Sequence, residues 1–203
     1  MGERLGESLQ AEWNNDPFAS ELWDALERGE AEPGKAMLLV DGLAQKGSPM
    51  AMLNLAEIYA YGMWGRDRDF ALAIDWSRRA AHAGSTEGKF LLSRLLEGEG
   101  EIELARNLLN EMADEGFPIA MWTLGNWYYK GDHLPRDPIR AKGYFEAAWK
   151  LGHIPSKTWL NHMLKCGEFG ALRRIEGIYK SATLLPTVYR QLHTYPESDR
   201  LRR

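Results

Sequence analysis

Two stretches of this chain of 203 residues repeat one another. Residues 49–84 read PMAMLNLAEIYAYGMWGRDRDFALAIDWSRRAAHAG, and residues 118–152 read PIAMWTLGNWYYKGDHLPRDPIRAKGYFEAAWKLG. After a one-residue deletion between the two halves, the first copy matches the second at Ala51/Ala120, Leu55/Leu124, Tyr59/Tyr128, Gly62/Gly131, Asp69/Asp137, Ala73/Ala141, Trp76/Tyr144, Ala80/Ala148 and Gly84/Gly152. Self-similarity over segments of this length indicates a repeat architecture in which each copy is one supersecondary unit.

The matched residues have the spacing of a helical hairpin. Ala51, Leu55 and Tyr59 lie four residues apart, which places them on one stripe of an α-helix. Gly62 and its counterpart are predicted to end the first helix at positive φ, a conformation that glycine adopts without strain. Asp69 and its counterpart are predicted to cap the second helix, because a carboxylate there accepts hydrogen bonds from free backbone N–H groups.

Three further copies are weaker. Between the two clear copies the pattern recurs at Gly88, Leu92, Leu96, Ala105, Leu108, Met112, Ala113 and Gly116. Before them it recurs at Phe18, Leu22, Leu26, Ala36, Leu39, Leu43, Ala44 and Gly47, with Asp16 as the expected cap of the first helix. After them it recurs at Ser156, Leu160, Leu164, Gly167, Ala171, Ile175 and Ile178. The sequence therefore predicts an all-α fold, an α-solenoid of about five helix-turn-helix hairpins.

These copies also divide the chain. We expect a flexible N-terminal leader at 1–16, the repeat solenoid at 17–182, and a C-terminal cap with a basic tail at 183–203. Trp13 falls in the predicted leader, and the repeat pattern indicates no packing partner for it.

The shared pattern is A-x-x-x-L-[AG]-x-x-Y-x-x-G followed by D-x-x-x-A-x-x-[WY]-x-x-x-A-x-x-x-G. It resembles the Sel-one-like repeat (SLR), a relative of the tetratricopeptide hairpin with a longer loop between its helices. The resemblance implies a right-handed α-solenoid that works as an adaptor or scaffold, most often in bacterial signalling, secretion or envelope complexes. It covers about four fifths of the chain and is more specific for the fold than for the task.

Composition argues against several classes of function. A formal net charge of −4 is small and of the wrong sign for general nucleic-acid binding. A single cysteine, Cys166, excludes an intramolecular disulfide framework. The opening MGERLGESLQ has no apolar stretch typical of a signal peptide, and no run is long enough for membrane insertion, so we expect a cytoplasmic protein. A chain whose leader had been removed would show the same opening.

Catalytic and metal chemistry have few candidates. His162 and Cys166 lie four residues apart on one helical face, a spacing that suits a metal or an activated thiol, but no second pair accompanies them. Asp132, His133 and Asp137 form another cluster, in which Asp137 already serves as a helix cap. We therefore expect no enzyme activity, no metal and no small-molecule cofactor. An enzyme with a site near the C-terminal cap stays as the alternative from another class.

A candidate binding face lies opposite the core stripe of the first helices. It is predicted at Tyr61, Arg94, Trp122, Asn126, Tyr129 and Lys130. First helices line the concave surface of such solenoids, and aromatic residues beside polar ones are typical of binding hot spots. The sequence thus predicts a protein or peptide partner in a concave groove. Two alternatives stay open: that Leu53, Phe90 and Trp122 only pack repeat against repeat, and that the chain is an inhibitor or immunity-type protein with one enzyme or toxin partner.

Overall fold

The computed structural model describes residues 7–194. This part of the chain contains α-helices and no strand, so the predicted all-α class is confirmed. The helices are α1 (Glu7–Asn15), α2 (Ala19–Glu27), α3 (Pro33–Gln45), α4 (Pro49–Tyr61), α5 (Phe70–His82), α6 (Thr86–Gly98), α7 (Ile102–Asp114), α8 (Pro118–Lys130), α9 (Pro138–Lys150), α10 (Ile154–Lys165) and α11 (Ala171–Thr194). None of them is both long and apolar enough to cross a membrane.

The chain divides into two compact units, Ser8–Leu108 and the residues from Leu109 onward. In the first unit α2 packs on α3, α4 on α5, and α5 on the following α6. In the second unit α8 packs on α9, α9 on α10, and α10 on α11. Within these two sets, each helix contacts the next helix in sequence, as the repeat pattern predicts.

The turns of the two clear copies confirm the predicted glycine and aspartate roles. Gly62 ends α4 at φ 68°, and Gly131 ends α8 at φ 81°. Asp69 accepts a hydrogen bond from Leu72 N at 2.9 Å. Asp137 accepts from the backbone N–H groups of α9 at 3.0 and 3.1 Å. Each turn therefore satisfies backbone groups that the two helix ends would otherwise leave unpaired.

Small residues allow the helices to approach closely, as predicted. Ala51, Ala73 and Ala80 are fully buried. A Cβ added at Gly88, which takes the place of Ala51 in the next copy, would lie 2.6 Å from Ala80 Cβ. No side chain larger than hydrogen fits at this crossing of α5 and α6 without a shift of the backbone.

The N-terminal residues differ from the expected flexible leader. Residues 7–15 form α1, and Trp13 on it is 8% exposed, with its ring edge-on to Trp23 at a centroid distance of 5.6 Å. An aromatic side chain of this size contributes a large apolar contact area when it packs, and the repeat pattern gave no sign of its partner.

Asp16 was predicted to cap α2; it accepts from the backbone N–H of Phe18 just before that helix, but it is not the N-cap residue. The helix begins at Ala19, and no side chain of its N-cap residue bonds the first turn. The Asp16 carboxylate instead accepts hydrogen bonds from Ser48 Oγ at 2.7 Å and Met50 N at 3.0 Å, and from Phe18 N at 2.8 Å. It caps α4 because the start of that helix lies beside it in space.

Glu12 on α1 plays the same part for α6. Its carboxylate accepts from Ser85 Oγ, from Thr86 N at 2.7 Å and from Glu87 N at 3.1 Å. Burial raises the pKa of the Glu12 carboxyl above its ordinary value, although these hydrogen bonds oppose that shift. Helix α1 and the residue that follows it thus supply carboxylates to the N-termini of two successive first helices, Asp16 to α4 and Glu12 to α6.

The C-terminal boundary also differs from the pattern. Helix α11 runs without a break across the expected division at 182/183 and through Pro186. Of the predicted tail, residues 195–203 lie outside the described part of the chain. The remaining domain boundaries stay predictions.

Candidate functional site

The six predicted binding residues fall in both compact units. Tyr61 ends α4 and is 48% exposed, and Arg94 lies exposed on α6, both in the first unit. The other four lie on α8 in the second unit, at Trp122, Asn126, Tyr129 and Lys130. The α8 residues have their neighbours on α9 and α10 within the same unit.

Trp122 and Asn126 were expected to be free of packing within their own hairpin, and the structure shows otherwise. Trp122 is half-buried against the core cluster of Ala141, Phe145 and Met163. Asn126 is 7% exposed, and its side-chain amide donates to Trp122 O at 3.0 Å. Helix α10 packs on this side, so the positions opposite the α8 core stripe become a second core contact. Their contact with a partner stays a prediction.

Tyr129 is the centre of a more accessible arrangement. Its ring lies edge-on to Trp159, with centroids 5.4 Å apart, and edge-on to His162, with centroids 6.2 Å apart. Trp159 and His162 are themselves 5.4 Å apart. We call Tyr129, Trp159 and His162 the aromatic face. The sequence interpretation missed the last two as neighbours of Tyr129, although their spacing of three on α10 was a usable signal.

Helix packing holds the aromatic face in place. Trp159 stacks on the fully buried Phe145 with ring centroids 6.1 Å apart, so the face is continuous with the core. His162 is exposed, while Tyr129 and Trp159 are half-buried. Rings that are fixed by packing lose little conformational entropy when they contact another molecule.

Polar groups border the aromatic face. The Arg136 guanidinium lies 5.7 Å from the Tyr129 ring centroid and pairs with the Glu168 carboxylate. Burial raises the pKa of the Tyr129 phenol, with smaller contributions from Cys166 and Glu168, so the phenol is neutral at pH 7. A neutral phenol both donates and accepts hydrogen bonds. The exposed Lys130 follows it at the end of α8.

The predicted pairing of His162 with Cys166 is present. The Cys166 sulfur lies 3.5 Å from His162 Nε2, and both side chains are exposed. Between residues 7 and 194 no three His, Cys, Asp or Glu side chains gather as a metal site would require. His133 instead lies edge-on to Trp127 at 4.7 Å.

Helical hairpins of this sequence pattern define the class of protein to which the chain belongs: the helical repeat proteins. The Sel1 repeat model matches residues 49–85 and 118–153, which are the two clear copies. These two segments are therefore similar to the Sel1 repeat, in agreement with the resemblance seen in the sequence. Proteins with Sel1 repeats generally mediate protein–protein interactions.

Solved structures share the fold at low sequence identity. A Sel1 repeat protein from Oxalobacter formigenes is similar with a TM-score of 0.65 and 20% identity, over 88% of this chain and 80% of that one. An immunity protein from Pseudomonas aeruginosa has a TM-score of 0.54 and 18% identity, over 84% and 69% of the two chains. These likenesses concern the fold alone.

A protein of Neisseria meningitidis serogroup B is similar in sequence. It is 28% identical over 152 residues, which are 73% of this chain and 31% of that protein. The chain thus spans about a third of the length of this relative.

Proposed function

We propose that this chain is a non-catalytic adaptor that binds a protein or peptide partner through the aromatic face of α8 and α10. The observation that carries the proposal is the cluster of Tyr129, Trp159 and His162, three rings in mutual edge-on contact at a partly exposed surface. Aromatic residues dominate binding energy at interfaces because they bury large areas and have few rotatable bonds.

The border of the face supports the same function. Arg136 and Lys130 offer donors and positive charge beside the rings, and Arg together with Tyr and Trp is enriched at binding hot spots. Trp122 enters this proposal as a residue that packs on the same core cluster as Tyr129 and Trp159, and partner contact at Asn126 stays a prediction. Tyr61 and Arg94, which lie in the first unit, stay separate predictions.

A second candidate is an inhibitor that blocks one enzyme or toxin, as an immunity protein does. It is favoured by the fold likeness to the Pseudomonas aeruginosa immunity protein, which extends over most of both chains. An inhibitor would bind one partner tightly and abolish its activity, whereas an adaptor would leave that activity intact. The two are therefore separated by assay of the partner once it is captured.

Site-directed photo-crosslinking tests the aromatic face directly. A benzophenone amino acid is placed at His162 in the full chain, and at Ile139 on α9, which is 77% exposed, as the matched control. After irradiation in cells of the source organism, covalent adducts are identified by mass spectrometry. We expect a discrete protein adduct from position 162 and none of that protein from position 139.

Affinity measurements then test the residues of the face. With the captured partner purified, Tyr129→Ala should weaken binding by about 2 kcal/mol, or roughly thirtyfold in Kd. Trp76→Ala, in the first unit, should lower the melting temperature by opening a cavity and leave the affinity per folded molecule unchanged. Equal adducts at positions 162 and 139, or full affinity after Tyr129→Ala, would contradict the site.

A further inference from the structure

A second concave feature lies on the other side of α10. Helices α9 and α11 border a groove with a cavity volume of about 710 Å³, and α10 forms its floor. Its α10 residues are Lys157, Leu160, Asn161 and Leu164, which recur three or four positions apart. At 3.6 residues per turn, this stripe is on the helix side opposite Trp159 and His162. The groove is therefore separate from the aromatic face.

Asn161 is an exception to the rule that buried polar groups are hydrogen-bonded. The residue is 2% exposed, and its amide nitrogen is buried without any hydrogen-bond partner. An unsatisfied buried donor lowers the stability of the fold, because the group has lost its hydrogen bonds to water and gained none in return. A buried amide that lines a cavity and has no hydrogen-bond partner within the protein is typical of a binding residue. Its partner is then supplied by another molecule.

The charge of the groove indicates the sign of that partner. Four lysines line the groove against two glutamates, and two of the lysines are already paired, Lys142 with Glu146 and Lys180 with Glu176. Lys150 and Lys157 have no carboxylate partner among residues 7–194. Lys157 Nζ lies 4.7 Å from the centroid of the Trp149 ring, which leaves its donors available to an anion.

Apolar residues complete the lining. Leu160, Leu164, Trp149 and Phe169 provide surface on the floor and walls between the charged groups. A ligand that is complementary to this lining has carboxylates that pair with the lysines. It also has apolar groups that pack on the leucines and the aromatic rings. An acidic peptide with interspersed apolar residues has this composition, whereas a small inorganic anion would leave the apolar surface uncovered.

We propose that the groove between α9 and α11 binds an acidic, apolar-interleaved peptide segment of a partner protein. One carboxylate of the segment pairs with Lys150 and Lys157, and rotation of the Asn161 side chain towards the groove lets its now unpaired amide nitrogen donate to the same carboxylate. The proposal shares with the proposed function only the premise of a protein partner, and it concerns a different face of α10.

The test uses the purified full chain and a fluorescein-labelled short peptide of alternating glutamate and leucine, followed by fluorescence anisotropy. Matched peptides carry glutamine or lysine in place of glutamate. We expect saturable binding of the glutamate peptide, at least tenfold weaker binding of the glutamine peptide, and a marked loss of affinity as salt is raised.

Variants assign the binding to named groups. Asn161→Leu is similar in size and removes the unpaired amide, so it should weaken peptide binding roughly tenfold or more while the melting temperature holds or rises. Asn161→Asp should abolish binding by charge repulsion. The pair Lys150→Gln and Lys157→Gln should weaken it at least tenfold, whereas Lys35→Gln with Arg78→Gln, an equal change of charge on α3 and α5, should not.

Three results would overturn the proposal: unchanged affinity in Asn161→Leu, equal binding of the lysine peptide, or a dimer of the chain alone that the Lys150 and Lys157 changes dissociate. The last result would make a second copy of this chain the occupant. None of them bears on crosslinking at position 162, so failure of the groove and failure of the aromatic face are distinguishable.

Discussion

The α4–α5 and α8–α9 hairpins are the two clear copies of one repeat, and they differ outside their turns. Inside each turn the parts are alike: Asp69 N donates to Tyr59 O at 2.9 Å, and Asp137 N donates to Tyr128 O at 2.8 Å. Both hydrogen bonds join residues of the same hairpin. The turn that the two copies share is therefore determined within each repeat.

The starts of the two hairpins differ. Ser48 Oγ accepts from Ala51 N at 3.0 Å and donates to Asp16, which also accepts from Met50 N. Helix α8 instead follows Phe117, whose side chain makes no capping hydrogen bond. The same repeat can thus begin with or without a carboxylate from an earlier segment of the chain.

The loops between the helices differ as well. In the first copy Trp64 adopts φ 54°, and a Cβ on Gly29 would lie 2.1 Å from its ring. In the second copy Leu134 is buried and His133 meets Trp127. The first loop contacts an earlier repeat, whereas the second contacts the first helix of its own repeat, so the two loops differ in the neighbours that they cover.

The largest expected effect comes from removing the carboxylate at the start of the first copy. Asp16→Ala should lower the free energy of unfolding of the first unit by about 2–3 kcal/mol, because it leaves buried donors at Ser48 and Met50 without an acceptor. Asp137→Ala, at an exposed cap, should cost about 1 kcal/mol. Urea denaturation with hydrogen exchange of α4 and α9 measures both. Equal losses in the two variants would show that Asp16 is an ordinary local cap.

An intermediate effect is expected at the two shared turn glycines. Gly62→Ala and Gly131→Ala should each cost about 1–3 kcal/mol, because both residues have positive φ and an added Cβ would lie 3.0 Å from the nearest loop atom. Gly42→Ala is the matched control, since Gly42 lies within α3 with open space around its Cβ. It should instead stabilise by up to about 1 kcal/mol. Thermal melts of the three variants separate backbone strain from side-chain addition.

The smallest effect concerns the pH dependence of the α1 contact with α6. Because burial raises the pKa of Glu12, the folded state binds its proton more readily than the unfolded state does. Stability from this group is therefore gained as pH falls through the raised pKa and lost as pH rises above 4.5. The free energy of unfolding of the wild type, minus that of Glu12→Gln, should decrease from pH 4.5 towards pH 7. An increase over the same range would mean that the hydrogen bonds outweigh burial.

The fold was more predictable than the site. The stripe of Ala51, Leu55 and Tyr59 and the turn residues were enough to predict hairpins, because these contacts join residues close in sequence. For the site, helical periodicity predicted that Tyr129 and Lys130 lie away from the core stripe of α8, and the structure shows Tyr129 half-buried and Lys130 exposed. It could not show that Asn126 would be buried and Trp122 half-buried, or that α10 would place Trp159 and His162 beside Tyr129.

The sequence by itself determined the all-α class, the hairpin register, the glycine-terminated helices and the aspartate caps of the second helices. Each depends on backbone and side-chain chemistry within one repeat, where spacing alone decides which groups meet. Tertiary structure decided that Asp16 caps α4, that Glu12 caps α6 and that Asn161 lies unpaired in a groove. These features join residues up to 75 positions apart, and such contacts exist only once helices from different repeats have packed.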